Sequence, residues 1–143
     1  MALLNESVRT QLAEILGEMP QTVSLVLYPG PDEEAADLMR SLLGEIADTV
    51  PKLRLEERTE APELEPGHDT GLPLEGPITQ LKTESGVLSG ARFLGIPGGM
   101  EFGTLVEAIR MTASGASELS HETLETLSEL KSPVHIQVFT TPT

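Results

Sequence analysis

The stretch Gly90-Ala-Arg-Phe-Leu-Gly-Ile-Pro-Gly-Gly-Met-Glu-Phe102 leaves this chain few ways to fold. Ala91 to Leu94 reads as a strand, Pro97-Gly98-Gly99 as a tight turn, and the residues behind it as a helix. Gly98 and Gly99 permit positive φ, and Pro97 presets the corner before them. Phe102, Leu105, Val106 and Ile109 then recur at i, i+3, i+4 and i+7, one apolar stripe of a helix. A strand that turns straight into an amphipathic helix must lay that helix back on its own sheet. The expectation is a layered α/β fold.

The segments before it fit such a sheet. Asn5 or Ser7 can cap a first helix lined by Val8, Leu12, Ile15, Leu16 and Met19, which Gly17 weakens and Pro20 stops. Thr22 to Tyr28 is a nearly unbroken β-branched and apolar run, the pattern of a central strand buried on both faces. A second helix begins near Asp32 and runs to about Ala47, with Leu38, Leu42 and Ile46 on its buried face beside Ala35, Met39 and Leu43. Asp32, Glu33 and Glu34 sit in its first turn, where the helix dipole favours negative charge. Lys52 to Arg58 follows as a half-exposed strand, completing a βαβ unit.

Thr59 to Gly76 breaks the pattern with five acids and three prolines, and reads as an exposed or partly disordered loop. Pro77 to Glu84 and Val87 to Leu94 bracket Ser85-Gly86, the spacing of a hairpin. The third helix ends by Ser114-Gly115. Ser120 caps a fourth, with Leu124, Leu127 and Leu130 expected inward, and Thr123 is too short to complete a capping box. After Pro133, Val134, Ile136 and Val138 alternate with His135, Gln137 and Phe139 as a last strand. Shifted by 112 positions, Leu12 and Ile15 fall on Leu124 and Leu127, and Val26-Leu27 on Val138-Phe139. This is the pattern of a second copy of the same unit that begins and does not finish.

Charge and composition narrow the chemistry. Twenty-three acids against nine bases give a net charge of −14, which repels phosphate backbones and anionic lipid. Nucleic acid and membrane surfaces are therefore not expected partners; a basic protein is the sharper reading of the acidity, solubility the blander one. No cysteine is present, so disulfides, thiol nucleophiles and thiolate metal sites are excluded within these residues. No apolar run approaches the roughly 18 residues of a membrane helix, and Glu6 interrupts any signal-peptide core. The expected location is the cytoplasm.

The layout (βαβ, a connection, a ββ hairpin and a closing helix) is thioredoxin-like, a mixed four-stranded sheet with helices on both faces. The Gly90–Phe102 stretch resembles the signature of the first of two tandem thioredoxin units. That tandem occurs in glutaredoxin-like protein disulfide oxidoreductases and in the N-terminal domain of the alkyl hydroperoxide reductase flavoprotein subunit. Val138-Phe-Thr-Thr-Pro-Thr143 resembles the strand and loop that precede the CxxC of the second unit. The resemblance divides the chain into a thioredoxin-like domain over 1–118, with the acidic loop at 59–76, and the start of a second unit over 119–143. It implies a lineage in cell redox homeostasis, exchanging protein disulfides through a CxxC at a helix N-terminus.

Position by position, the resemblance puts the first CxxC on Asp32-Glu-Glu-Ala35, where no cysteine stands, and the second just beyond Thr143. It also makes Pro77, after Gly76, the family's cis-proline, opening backbone to an extended peptide; the plainer reading is a trans proline that starts an edge strand. The candidate site is thus the degenerate position Asp32, Glu33, Glu34 and Ala35, with Gly76, Pro77, Pro97 and Gly98 as binding residues, no cofactor and no metal. Neighbouring acids on a helix point different ways, so capping is the simpler role for Asp32 to Glu34. His121-Glu122-x-x-Glu125 lacks the second histidine of a zinc site. His68 and His135 read as solvated or partly packed. A phosphate cradle at Gly98-Gly99 is opposed by Glu101.

Two readings follow: a redox-inactive scaffold for a partner bearing a CxxC unit, or the N-terminal part of a disulfide reductase. The first leaves the strand at Val134–Phe139 open to pairing with a neighbouring sheet, including in a homodimer. An acidic adaptor for a basic protein is a third.

Overall fold

The computed structural model describes residues 2–60 and 76–139. Asn5 accepts from the Val8 N–H and opens helix α1 (Glu6–Leu16), which ends at Gly17, ahead of Pro20. Strand β1 (Val23–Tyr28) leads to α2 (Glu33–Thr49), and Val50-Pro51 stops that helix ahead of β2 (Leu53–Glu57). Beyond the acidic segment come β3 (Ile78–Thr83), β4 (Leu88–Leu94), α3 (Met100–Ser114) and α4 (His121–Ser128).

The sheet order is β2-β1-β3-β4. β1 runs parallel to β2 and antiparallel to β3, and β3 pairs antiparallel with β4. The Thr22–Tyr28 run is thus an interior strand, as its unbroken apolar content implied. Gln80 pairs with Arg92 and Lys82 with Leu88, so β4 carries extra residues opposite Leu81. Gly90 sits in that bulge with φ +84°, a conformation side-chain-bearing residues rarely adopt.

Alternation along β1 divides the core. Val23, Leu25 and Leu27 join Leu12 and Leu16 of α1, Met39, Leu43 and Ile46 of α2, and Leu105 and Ile109 of α3 in one cluster. Val26 and Tyr28 face the other way and pack with Ile78. Among the described residues, α1, α2 and α3 all lend side chains to the first face, and the second-face cluster holds strand residues alone. Helices on both faces were expected; the described helices supply one.

Several details of the helices depart from expectation by a single helical step. Ile15 is exposed while Leu12, Leu16 and Met19 are buried, because the narrow stripe of α1 centres between Leu12 and Leu16. Leu38 is exposed and Ala36 buried, since the stripe of α2 runs through Ala36, Met39, Leu42, Leu43 and Ile46. α4 forms with its Ser120 cap in place, yet it buries none of its residues, so Leu124, Leu127 and Leu130 are not inward. The expected last strand is absent: residues 134–139 are exposed and pair with no strand. A strand exists only through a neighbour's hydrogen bonds, and the described residues provide none there.

Candidate functional site

The β1–β3–β4 register brings the sequence-marked residues to one end of the sheet. Tyr28 stands opposite Ile78, and Ile78 opposite Leu94. The β1–α2 corner, the entry to β3 and the exit from β4 are therefore neighbours at that end. Asp32 caps α2: its Oδ1 accepts from the Ala35 N–H at 3.1 Å, and its carbonyl accepts from Ala36 at 2.9 Å. Glu33 and Glu34 are exposed in the first turn, and Ala35 is half-buried. The position that the resemblance gives to two thiols thus holds a capping carboxylate, two solvated carboxylates and a methyl group.

Pro77 is buried, and its carbonyl accepts from the Gly95 N–H at 2.8 Å. No cis peptide bond occurs among the described residues, so the expected cis bond before Pro77 is corrected to trans. Pro77 enters the interior strand β3 beside β4, and its carbonyl is used within the sheet. It is not an open edge for a peptide. Gly76, before it, is half-buried.

Pro97 is buried and Gly98 exposed at the start of the turn. Gly95 and Gly99 take positive φ there and Gly98 does not, so the reversal is spread over Gly95–Gly99. α3 starts at Gly99 with no side-chain cap. Beside this turn a shallow cavity of about 360 Å³ is lined by Arg92, Phe93, Gly95, Pro97, Glu101 and Thr104. It presents one guanidinium and one carboxylate, so neither sign of ligand charge is favoured.

The remaining candidates separate. His121 Nε2 lies 3.2 Å from Glu125 on exposed α4, an ordinary i,i+4 pair, and His135 is exposed. His68 lies outside the described residues. Among the described residues no three His, Asp or Glu side chains converge as a metal site, and no helix is long and apolar enough to cross a membrane.

Two features escaped the sequence reading. On the second face of the sheet, Gln80 and Lys82 are buried on an interior strand, and Tyr28 carries a buried hydroxyl without a partner among the described residues. Ser24 donates to Glu56 at 2.7 Å on the same face; that bond, ahead of Arg58, holds the Glu56 carboxyl below the usual range against desolvation. The alternation of Gln80 and Lys82 about Leu81 is visible in the sequence, but nothing local marks that face as buried. The second feature is a clamp: Glu45 accepts from the Leu3 and Leu4 N–H groups at 2.7 and 2.9 Å and from Arg9 at 2.5 Å. It ties the N-terminus to α2. The two backbone bonds, then Arg9, hold Glu45 below its usual pKa.

No family model matches the chain. It is 29% identical over 137 residues to the alkyl hydroperoxide reductase protein AhpF of Staphylococcus aureus, covering 96% of this chain and 24% of that protein. The AhpF of Staphylococcus epidermidis is 27% identical over 142 residues. The chain therefore spans about a quarter of the length of these relatives. Among solved structures it resembles the NTD_N/C domain of alkylhydroperoxide reductase AhpF from Enterococcus faecalis, with a TM-score of 0.70 and 26% identity over 87% of this chain and 59% of that one. A protein disulfide oxidoreductase from Aeropyrum pernix shares the fold at a TM-score of 0.61 and 23% identity, covering 89% and 55%. Relatives in sequence and neighbours in fold coincide, consistent with an N-terminal thioredoxin-like unit of that group.

Proposed function

We propose that this chain, a thioredoxin-like unit akin to the N-terminal domain of alkyl hydroperoxide reductase AhpF, works in the cytoplasm as a redox-inactive scaffold. It holds or presents a protein partner that carries a CxxC thioredoxin-like unit. The observation that carries this reading is the use made of the α2 N-terminus. Disulfide reduction there needs two thiols that are oxidised as the substrate disulfide is reduced, with the attacking sulfur held as thiolate by the helix dipole. Here Asp32 spends its carboxylate on the Ala35 N–H, and none of the 143 residues carries a thiol. The partner's contact region is the surface of Asp32 to Ala35 together with Gly76 and Gly98, which lie beside the buried Pro77 and Pro97.

The test has two arms. The chain should leave the dithiothreitol-driven reduction of insulin at the blank rate, whereas turnover above the blank rejects the reading. Calorimetric titration with a CxxC thioredoxin-like protein should show saturable binding that Asp32→Lys weakens, and no heat with either chain rejects the partner.

The second reading makes the chain the N-terminal part of a disulfide reductase. It is favoured by the exposed apolar segment from Leu119 to Phe139 and by relatives about four times as long. Reading the encoding frame past Thr143 decides it. A Cys-x-x-Cys there, or its selenocysteine counterpart encoded by a UGA triplet, makes the full product an enzyme. In the scaffold reading the same apolar segment pairs with a partner or a second copy.

A further inference from the structure

Methionine ordinarily fills irregular gaps in an apolar core. Met19 and Met39 do so here at 3% and 0% exposure, and Met111 is 37% exposed on the flank of α3. Met100 is 93% exposed and fills nothing. It is the first residue of α3, directly after the positive-φ Gly99, and the buried stripe of that helix begins only at Leu105. Packing therefore does not account for a methionine at this place. Helix propensity does not either, since lysine or glutamine would serve the helix as well.

The thioether of Met100 is open to oxidation, and no thiol among these residues competes for the oxidant. We propose that Met100 is the residue at which a hydroperoxide modifies this folded chain, giving methionine sulfoxide. The sulfur lone pair attacks the terminal peroxide oxygen, so an S–O bond forms as the O–O bond breaks. The remaining oxygen leaves as an alcohol, or as water from hydrogen peroxide, carrying the proton. Sulfur gives up the electron pair that the peroxide takes. A neutral peroxide reaches the site freely, whereas the net charge of −14 holds back an anionic oxidant.

The start of α3 does not depend on this side chain. The Glu101 and Phe102 N–H groups donate to the Gly98 and Gly99 carbonyls at 3.1 and 3.3 Å, and no side chain caps the helix. Oxidation therefore leaves the fold intact and changes the surface, placing a polar oxygen beside Gly98. One consequence rests on the scaffold reading. A docking partner would have to strip water from that oxygen, so the sulfoxide weakens the contact and its reduction restores it.

The full chain is treated with dilute hydrogen peroxide and its peptides are mapped by mass spectrometry over time. Met100 should gain oxygen about two- to threefold ahead of Met111, following their exposure. It should lead Met19 and Met39, which wait for the chain to open, by at least about tenfold. In guanidinium chloride the rates should become nearly equal, and the melting temperature of the oxidised chain should match the parent. Met111 oxidised ahead of Met100, or Met19 or Met39 oxidised as fast in the folded chain, overturns the proposal. Once catalase has removed the peroxide, titration with a CxxC thioredoxin-like protein tests the consequence. The oxidised chain should bind more weakly, methionine sulfoxide reductase should restore binding, and Met100→Leu should be indifferent to peroxide. Equal binding before and after oxidation overturns that consequence. No binding by the unoxidised chain rejects the scaffold reading and leaves the order of oxidation standing.

Discussion

The first helix and strand of this protein and its last helix and strand-like segment carry nearly the same pattern and meet opposite fates. Leu12 and Leu16 of α1 are 2% and 0% exposed, and Leu25 of β1 is fully buried. Leu124, at the place matching Leu12, is 40% exposed, and Val138, matching the fully buried Val26, is 79% exposed, whereas Ile15 and its match Leu127 are both exposed. The two regions differ in what surrounds them. β1 has β2 and β3 on its flanks and helices over one face, whereas α4 and residues 134–139 have no covering layer among the described residues. An amphipathic pattern states what a segment can pack with; packing requires the complement to be there.

Substitutions that remove the same groups from both regions sharpen this contrast. Leu25→Ala deletes a buried side chain in the interior strand and should cost about 2–5 kcal/mol in urea unfolding. Val138→Ala should stay within about 0.5 kcal/mol of the parent in the dilute monomer. A large loss at Val138 would mean that the segment is packed already. Asp32→Ala removes the α2 cap and should cost about 1 kcal/mol, with far-UV helicity otherwise kept. No change on that substitution would leave Asp32 without the structural role that accounts for a carboxylate at the degenerate position.

Glu45→Gln tests how the N-terminus is tied to the packed region. The folded-state pKa of Glu45 lies below its ordinary value of 4.5, so its contribution is fully present above the unfolded pKa and is lost as pH falls through the folded one. The variant should melt below the parent at neutral pH, and the gap in Tm should close as the solution is taken below the ordinary carboxylate range. A gap that persists or widens in acid contradicts the clamp.

Where the sequence was legible, neighbours in the chain also supplied the packing. The Thr22–Tyr28 run has one use, an interior strand, and the stripe of Phe102, Leu105, Val106 and Ile109 follows from the turn before it. The hairpin about Ser85-Gly86 was readable from spacing alone. Readings failed where the answer lay in distant residues. Leu38 and Ile15 are each one helical step from the buried stripe, and only the position of the sheet fixes which side wins. The Pro77 carbonyl is taken up by Gly95, just past the end of β4, a partner that sequence distance places well beyond it. Asp32, Pro77 and Pro97 are gathered at one end of the sheet by the β1–β3–β4 register, which their spacing in the sequence does not state. The missing cysteine is a fact of the sequence itself.

Hydrogen exchange, followed by mass spectrometry from dilute to concentrated protein, compares the two regions directly. Amides of β1 and β3 should be protected at every concentration. Those of residues 134–139 should exchange freely. Protection of 134–139 as strong as that of β1 would contradict a packed β1 and an uncovered 134–139.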